Sequence, residues 1–97
     1  MTIKKDLVEF IWDKGNIGKN EKHNVQDREC EEVFFDEDKF IFKDIVHSQH
    51  EERFRILGKT KNERLLFVVF TTRRHQIRII SARDINKKEV YLYEKAT

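Results

Sequence analysis

Several residue types that shape a chain are scarce in this sequence. Its 97 residues include no proline, three glycines and one cysteine, a composition that argues against a disordered or linker-rich chain. Cys30 has no partner for an internal disulfide, so a cytoplasmic protein is expected. No apolar run approaches the length of a membrane span, and the N-terminus lacks the pattern of a signal peptide. We therefore expect no membrane association.

Motifs of several enzyme classes are also missing. The sequence contains no nucleophile triad pattern, no P-loop and no glycine-rich nucleotide fingerprint, so no cofactor is expected. His47 and His50 precede Glu51 and Glu52, and these side chains can bind metal. No further Cys or His cluster completes a zinc site, however, so a polar loop without metal is the expected structure.

The residues that are present indicate a lean core beneath a highly charged surface. Apolar residues make up 38% of the chain and charged residues 39%. Eight phenylalanines and one tryptophan compensate, because aromatic rings bury a large area per residue. A chain of this length can close one small core, so residues 1–97 are expected to form a single domain.

Charge is distributed unevenly along the chain. Residues 1–52 hold 8 Lys and Arg against 14 Asp and Glu, a net charge of −6, whereas residues 53–97 hold 12 against 4, a net charge of +8. Either the two halves neutralise each other in the fold, or the second half forms a basic face for nucleic acid. Charge alone leaves both interpretations open.

Apolar patterns predict the strands. Residues 65–70 form a continuous apolar run, typical of a strand buried on both faces, and residues 76–83 follow as a strand that carries arginines. Phe54 and Ile56 alternate with arginines and should share one face of their strand. The predicted elements are a strand at 7–12 with Val8, Phe10 and Trp12 on one face, helices at 13–22 and 27–35, a strand at 39–43 with Phe40 and Phe42 facing the core, a polar loop at 44–52, a strand at 53–56, a turn at 58–63, a strand at 65–70, a turn at 71–75, a strand at 76–83 and a terminal helix after Asn86.

The helix at 27–35 has clear local signals. Asp27 suits an N-cap, and the acidic residues that follow it suit the first turn of a helix. Cys30, Val33 and Phe34 fall at i, i+3 and i+4 and form its apolar stripe.

The terminal helix completes the predicted fold. Asn86 and Glu89 have the spacing of a capping box, and Glu89 and Tyr93 lie one turn apart on the same helix face. The element order is strand, two helices, four strands, helix (β-α-α-β-β-β-β-α). Short turns between the later strands predict a mostly antiparallel sheet with helices on one side, which is an α+β fold.

Arginines on the predicted strands are the main candidates for chemistry. They are Arg53, Arg55, Arg78 and Arg83, with Arg73 and Arg74 on a turn. They could form an ordinary solvated strand face, but a planar guanidinium is well suited to holding phosphate. Cleavage of an RNA backbone needs cations that neutralise charge on the phosphate, a base for the 2′-hydroxyl and an acid for the leaving 5′-oxygen.

Other side chains could move protons or stack on bases. His23, beside Lys22 and near Lys19, could act in proton transfer, or it could simply cap a helix end. One of Tyr91 and Tyr93 should pack on the sheet, and the other could stack on a base or donate a proton, as could Trp12, but aromatic residues at such positions also form cores.

Taken together, these segments resemble the BrnT family of bacterial type II toxins, which is similar in fold to the RelE/ParE superfamily. The resemblance is carried by Phe10-Ile-Trp-Asp13, Lys19-Asn20, Lys22-His-Asn-Val25, Glu31-Glu-Val-Phe-Phe-Asp36, His47-Ser48, Glu52-Arg53, Leu57-Gly58, Phe70-Thr-Thr-Arg73, Ile77-Arg-Ile-Ile-Ser-Ala-Arg83, Glu89 and Tyr93. Its most specific part is the Glu52–Gly58 segment followed by the arginine strand at this distance.

The resemblance implies a metal-independent endoribonuclease that blocks translation, neutralised by a BrnA-like antitoxin that binds operator DNA. It also allows a toxin dimer within the toxin–antitoxin complex. Arg53 and Arg83 would bind the scissile phosphate, His23 or Glu89 would be the base, and Tyr93 or Lys22 the acid. The proposed RNA contacts are Lys19, Arg55, Arg78 and Trp12.

Two alternatives to a nuclease remain. The same fold could be a non-catalytic module that binds an antitoxin or another anionic partner without cutting RNA. A DNA-binding domain is a third interpretation, although the helix at 27–35 is acidic and the last helix is short, so neither suits base recognition.

Overall fold

The structure is a computed structural model that describes residues 2–5, 8–46 and 50–96. Within these residues it contains six strands, two α-helices and two short 3₁₀ helices. The strands are β1 (Thr2–Lys5), β2 (Val8–Ile11), β3 (Phe40–Asp44), β4 (Arg53–Lys59), β5 (Leu65–Arg73) and β6 (Gln76–Asp84); the helices are α1 (Asp27–Glu32) and α2 (Lys87–Ala96), and the 3₁₀ helices are Lys19–His23 and Val33–Phe35.

The strands form one mixed sheet with the order β1-β2-β6-β5-β4-β3. Only the pairing of β2 with β6 is parallel among the described strands, and the other four pairings are antiparallel. The expected α+β class with a mostly antiparallel sheet is therefore confirmed. The predicted element order is not, because β1 precedes the first expected strand.

One face of the sheet packs against α1 and the two 3₁₀ helices and is called the covered face. The alternation predicted for β4 is confirmed, since Phe54 and Ile56 both pack into this core. The core is aromatic at its centre: the Phe34 ring lies edge-on to Phe10 at 5.4 Å and to Phe70 at 4.9 Å between centroids. The buried members of this core are Phe10, Trp12, Val25, Cys30, Val33, Phe34, Ile56, Leu66, Val68, Phe70, Ile79 and Ala82.

The opposite face carries a smaller core beneath α2, so the expectation that the helices pack on one side of the sheet is wrong. Its buried members are Leu57, Phe67 and Tyr93. Phe40 and Phe42 of β3 pack against it as expected. Because α2 covers only the half of this face near Leu57, the half near Arg53 stays open.

The helix expected at 13–22 is wrong. Residues 14–18 form turns, and only Lys19–His23 is helical, as a 3₁₀ helix. Gly18 precedes it with a φ of 66°, a left-handed conformation that glycine adopts at little steric cost and that interrupts an α-helix. The second helix is α-helical only through Glu32 and continues as 3₁₀.

Asp27 is not the N-cap of α1. Gln26 holds that position and forms a reciprocal capping box with Glu29. The Asp27 carboxylate instead accepts hydrogen bonds from the Gly18 amide at 3.0 and 3.1 Å. It therefore links the preceding loop to the helix. The capping box expected at α2 is confirmed, because Asn86 and Glu89 exchange two 2.9 Å hydrogen bonds.

Gly58 lies inside β4 and not in a turn as expected. A Cβ at this position would lie 2.8 Å from the Val33 carbonyl oxygen, so glycine allows the second 3₁₀ helix to sit directly on the strand. The turn expected at 71–75 contracts to Arg74 and His75, which join β5 and β6. Of the polar loop expected at 44–52, Asp44 belongs to β3, and residues 47–49, including His47, lie outside the described residues.

Candidate functional site

An open groove of about 280 Å³ lies on the half of the sheet that α2 leaves uncovered. Its floor is formed by β4, β5 and β6, and the end of β3 forms one wall. Three arginines expected to act in the site, Arg53, Arg55 and Arg83, line it together. The complete lining is Asp44, Arg53, Arg55, Phe67, Val69, Ile80, Ser81 and Arg83.

Strand register brings these side chains to one place. Arg55 pairs with Val69, which pairs with Ser81 on the next strand, and Phe67 pairs with Arg83. Paired residues point to the same face of a sheet, so arginines from β4 and β6 meet above β5.

A β-bulge adjusts the faces of β6. The register shifts between Val69 and Phe70, which leaves Ile80 as an extra residue in β6. As a result, Arg78 and Arg83 project from the same face although they are five residues apart. In a regular strand an odd separation would place them on opposite faces.

Arg83 is held in the groove by several contacts. Its Nη1 and Nη2 donate to Glu89 Oε1 and Oε2 at 2.9 and 2.8 Å. Nη1 also donates to the Asp84 carbonyl oxygen at 3.0 Å. The guanidinium carbon lies 4.1 Å from the centre of the Phe67 ring, within range of a cation–π interaction.

Arg55 has a similar arrangement on the neighbouring strand. Its Nε donates to Asp44 Oδ2 at 3.1 Å, and Asp44 is almost fully buried. The guanidinium carbon lies 5.3 Å from the Phe67 ring centre and 6.0 Å from that of Phe42. Phe67 therefore lies beneath two arginines.

Glu89 lies in the first turn of α2, at the edge of the groove. Burial raises the pKa of Glu89, but hydrogen bonds from Arg83 and the Asn86 amide, with the charges of Arg83 and Arg55, outweigh burial and bring the pKa below its ordinary value. Glu89 therefore stays ionised, and its two oxygens are engaged by Arg83.

Tyr93 shares the helix face of Glu89 as predicted but does not reach the groove. Its hydroxyl donates to Asp36 Oδ2 at 2.6 Å. Burial, followed by the hydrogen bond to Asp36 and the negative charge there, raises the pKa of Tyr93 far above its ordinary value. The residue is buried beside Leu57 and Phe67. A hydroxyl committed in this way is poorly placed to give a proton to RNA in the groove.

Lys19, Lys22 and His23 lie on the other side of the sheet. They are exposed on the first 3₁₀ helix, which is fixed to β6 by a 2.9 Å hydrogen bond from the Ala82 amide to Asn20 Oδ1. Ala82 belongs to the larger core, so this helix lies on the covered face. The structure does not bring these three residues together with the groove arginines.

The remaining expected RNA contacts are engaged within the protein. Arg78 shares the row of Arg53 across Thr71, but its Nη1 donates to Asp13 Oδ2 at 2.6 Å. Trp12 is only 1% exposed, and its Nε1 donates to Glu31 Oε2 at 2.8 Å. A buried indole offers no face to a base, so the expectation that Trp12 stacks on RNA is corrected.

The uneven charge of the chain is neutralised in part by the fold. Several arginines of the second half pair with carboxylates of the first half. These pairs are Arg55–Asp44, Arg64–Glu29, Arg73–Glu51 and Arg78–Asp13. Neutralisation between the two halves is therefore confirmed in part, and three arginines nonetheless converge on one groove.

Sequence reasoning missed two groove residues, Asp44 and Phe67. The signal for Asp44 was available only after pairing β3 with β4, which sets Asp44 opposite Arg53. Phe67 reads as an ordinary core residue inside an apolar run. Its position beneath the arginines depends on which face of β5 it occupies.

The described residues contain no group of three or more Cys, His, Asp or Glu side chains placed to hold a metal ion. Among the same residues, no helix is both long and apolar enough to cross a membrane.

Comparison with known proteins identifies the family. No curated protein matches the chain. The family model for the ribonuclease toxin BrnT of type II toxin–antitoxin systems matches residues 12–89, a range that contains every residue lining the groove. The chain therefore belongs to the BrnT family of ribonuclease toxins.

Proposed function

We propose that this chain is an endoribonuclease toxin that cuts RNA in the groove, without a metal ion, and thereby inhibits translation in the cytoplasm. The observation that carries the proposal is the convergence of Arg53, Arg55 and Arg83 on one groove. We take residues 1–97 as one domain of the RelE-like type, in keeping with its small antiparallel-rich sheet and flanking helices.

The arginines suit the charge that develops during RNA cleavage. Attack of a 2′-oxygen on the adjacent phosphorus forms a cyclic phosphate and breaks the bond to the 5′-oxygen; the 2′-hydroxyl proton passes to water, and the leaving 5′-oxygen takes a proton from water. Negative charge builds on the non-bridging oxygens during this step. Guanidinium groups fixed on neighbouring strands can stabilise this charge without reorganising. Their paired N–H donors match phosphate oxygens, which a single point charge does not. Arg53, Arg55 and Arg83 supply the cationic role that a metal has in other nucleases.

Fewer side chains are placed for proton transfer than the sequence suggested. Tyr93 is bonded to Asp36, and Lys22 and His23 lie on the covered face, so we assign them no chemical step. Lys19 is exposed there too and can meet RNA only outside the groove. The catalytic contribution is therefore placed on charge stabilisation and alignment by the arginines.

The partner is proposed to be a BrnA-like antitoxin that binds operator DNA and carries the toxin, singly or as a dimer, into a repressing complex. The family itself implies an antitoxin protein and an RNA substrate. Arg55 and Arg83 already donate hydrogen bonds to the carboxylates of Asp44 and Glu89. An acidic antitoxin segment that covers the arginines would therefore be electrostatically favourable.

The test is controlled expression in a bacterial host without the antitoxin. The expected result is growth arrest with RNA cleavage, abolished by Arg53→Ala or Arg83→Ala. Arg28→Ala is the matched control, because Arg28 is exposed on α1 and its side chain donates to Gln26 and Glu32, close by in sequence and away from the groove. Normal growth with intact RNA in the wild type would overturn the nuclease proposal.

A second candidate is a non-catalytic module that binds the antitoxin or another anion. It is favoured by two internal ion pairs, Arg55 with Asp44 and Arg83 with Glu89. The separation of Tyr93 and His23 from the groove also favours it. Purified protein that binds a 2′-O-methyl RNA but leaves the matching unmodified RNA intact would support this module over the enzyme.

A further inference from the structure

Two of the groove arginines, Arg55 and Arg83, each have one edge of the guanidinium occupied by a carboxylate of the protein. A guanidinium carries five N–H donors, two along its end edge between the Nη atoms and two along the side edge formed by Nε and Nη2, with the fifth on Nη1 facing the stem. Which edge a carboxylate occupies decides which edge is left for a ligand.

Glu89 takes the end edge of Arg83. It accepts from both Nη1 and Nη2, at 2.9 and 2.8 Å, and the second Nη1 donor goes to the Asp84 carbonyl oxygen at 3.0 Å. The Nε–H and the second Nη2–H have no acceptor among the described residues. Arg83 therefore presents its side edge, a two-donor fork that fits two phosphate oxygens.

Asp44 occupies the other edge, the side edge, of Arg55. It accepts from Nε at 3.1 Å, which occupies the side edge. The Nη1 and Nη2 groups of Arg55 donate to no acceptor among the residues that the structure describes. Arg55 therefore presents its end edge where Arg83 presents its side edge.

Phe67 fixes the height of both groups. The Arg83 and Arg55 guanidinium carbons lie 4.1 and 5.3 Å from the centre of its ring. Phe67 is itself buried in the core beneath α2. A buried aromatic ring offers a fixed surface on which the two cations rest.

We propose that Glu89, Asp44 and Phe67 are positioning residues that direct the side edge of Arg83 and the end edge of Arg55 toward one phosphodiester, and that Glu89 is not the general base. The inference rests on the proposed function and assigns the recognition of phosphate within it. Both oxygens of Glu89 are committed to Arg83, and its lowered pKa makes it a weak proton acceptor.

The first experiment observes the arginine Nε–H signals by NMR in protein labelled at arginine Nε. The probe is a 2′-O-methyl RNA oligonucleotide, which offers phosphates but lacks the attacking hydroxyl. The expected result is a shifted Arg83 signal and little change for Arg55, whose Nε–H is held by Asp44. Arg64 is an internal control because its Nε donates to Asp84 at 2.7 Å. A shift of Arg55 without one of Arg83 would overturn the proposal.

The second experiment separates positioning from base catalysis. Glu89→Gln retains an acceptor for the Asn86 cap, so α2 is expected to fold, but it loses the charge that holds Arg83. A misplaced guanidinium is expected to lower the cleavage rate by up to about a hundredfold. In an Arg83→Ala background the same change should cost nothing further, since it acts only through Arg83. Any acid limb in the wild-type pH–rate profile, which would report a catalytic base, should persist in Glu89→Gln.

Phe67 provides an independent arm. Phe67→Leu should weaken binding of the oligonucleotide, whereas Phe67→Tyr retains the ring and should restore binding to near the wild-type value. Equal binding by the leucine and wild-type proteins would overturn the role of the ring.

The failures of the two proposals are distinguishable. If the wild type binds the oligonucleotide with the Arg83 shift but cuts no RNA, the nuclease proposal fails and the positioning proposal stands. If the wild type cuts RNA and Glu89→Gln removes the acid limb, or reduces cleavage further in the Arg83→Ala background, Glu89 is the base and the positioning proposal fails.

Discussion

The two faces of the sheet are built from the same strands and differ in what closes them. On β4, Phe54 and Ile56 enter a core covered by helices, whereas Arg53 and Arg55 face an open groove. On β6, Ala82 enters that core and Arg83 lines the groove. One residue along a strand therefore separates a side chain in the core from one that lines the groove.

The difference shows how a small domain can hold cations close together. Like charges on adjacent strands repel, and the groove offsets this with Asp44, Glu89 and the Phe67 ring. The strands themselves are fixed from the other side by the aromatic core. We infer that the rigid core on the covered face fixes the positions of the groove arginines.

The covered face should dominate stability, and Phe10→Ala tests this. Phe10 is fully buried and contacts Phe34 edge-on. Removing its ring leaves a cavity among rigid neighbours, so the free energy of unfolding should fall by about 3–5 kcal/mol. Urea denaturation measures the change. Leu92→Ala on the exposed side of α2 is the control, expected within about 0.5 kcal/mol. A loss below about 1 kcal/mol for Phe10→Ala would contradict the comparison.

A substitution on the half-covered face should lower the free energy of unfolding by less. Tyr93→Phe tests this and separates the structural role of Tyr93 from a chemical one. The change removes the hydroxyl that donates to Asp36 and should lower the free energy of unfolding by about 1.5 kcal/mol. The RNA cleavage rate should be unchanged, because the hydroxyl lies away from the groove. Tyr91→Phe, at a position 64% exposed on the same helix, should change neither quantity. Lost cleavage with unchanged stability would restore Tyr93 as the acid.

Much of the fold could be predicted because local patterns and tertiary packing agree. The apolar run at 65–70 became the core of β5, and the Asn86–Glu89 capping box formed as expected. The helix expected at 13–22 failed because its glycines favour turns and its polar residues bond to distant backbone, as Asn20 does to Ala82.

The site could be predicted only where it depends on a single strand. Alternation correctly set Arg53 and Arg55 opposite the core. The contribution of Asp44 depends on cross-strand register, and the common face of Arg78 and Arg83 depends on a bulge that has no signal in the sequence. Tyr93 was assigned to the correct helix face, but its hydroxyl selected Asp36, 57 residues away in sequence.

At the edge of the open groove, Glu89 should make stability depend on pH. Its pKa in the folded protein lies below the ordinary value of 4.5. The folded state therefore binds protons less readily, and this contribution to stability is present above the unfolded pKa and is lost as pH falls through the folded pKa. The free energy of unfolding should decrease from pH 6 to pH 3 by less in Glu89→Gln than in the wild type. The exposed Glu37→Gln is the control, and an equal decrease in all three proteins would contradict this assignment.

The smallest effect is expected at the β5–β6 turn, which belongs to neither face. Arg74 and His75 form a two-residue hairpin loop with φ values of 50° and 69°, a conformation that Asn-Gly adopts more easily. The double substitution Arg74→Asn with His75→Gly should raise the free energy of unfolding by about 1 kcal/mol. Thermal unfolding should show a gain of roughly 4–8 °C. Arg74→Ala keeps a Cβ at positive φ and should give no gain. RNA cleavage should stay unchanged in both variants, because the turn bears no groove residue; a loss of cleavage would mean that the groove extends to the hairpin tip.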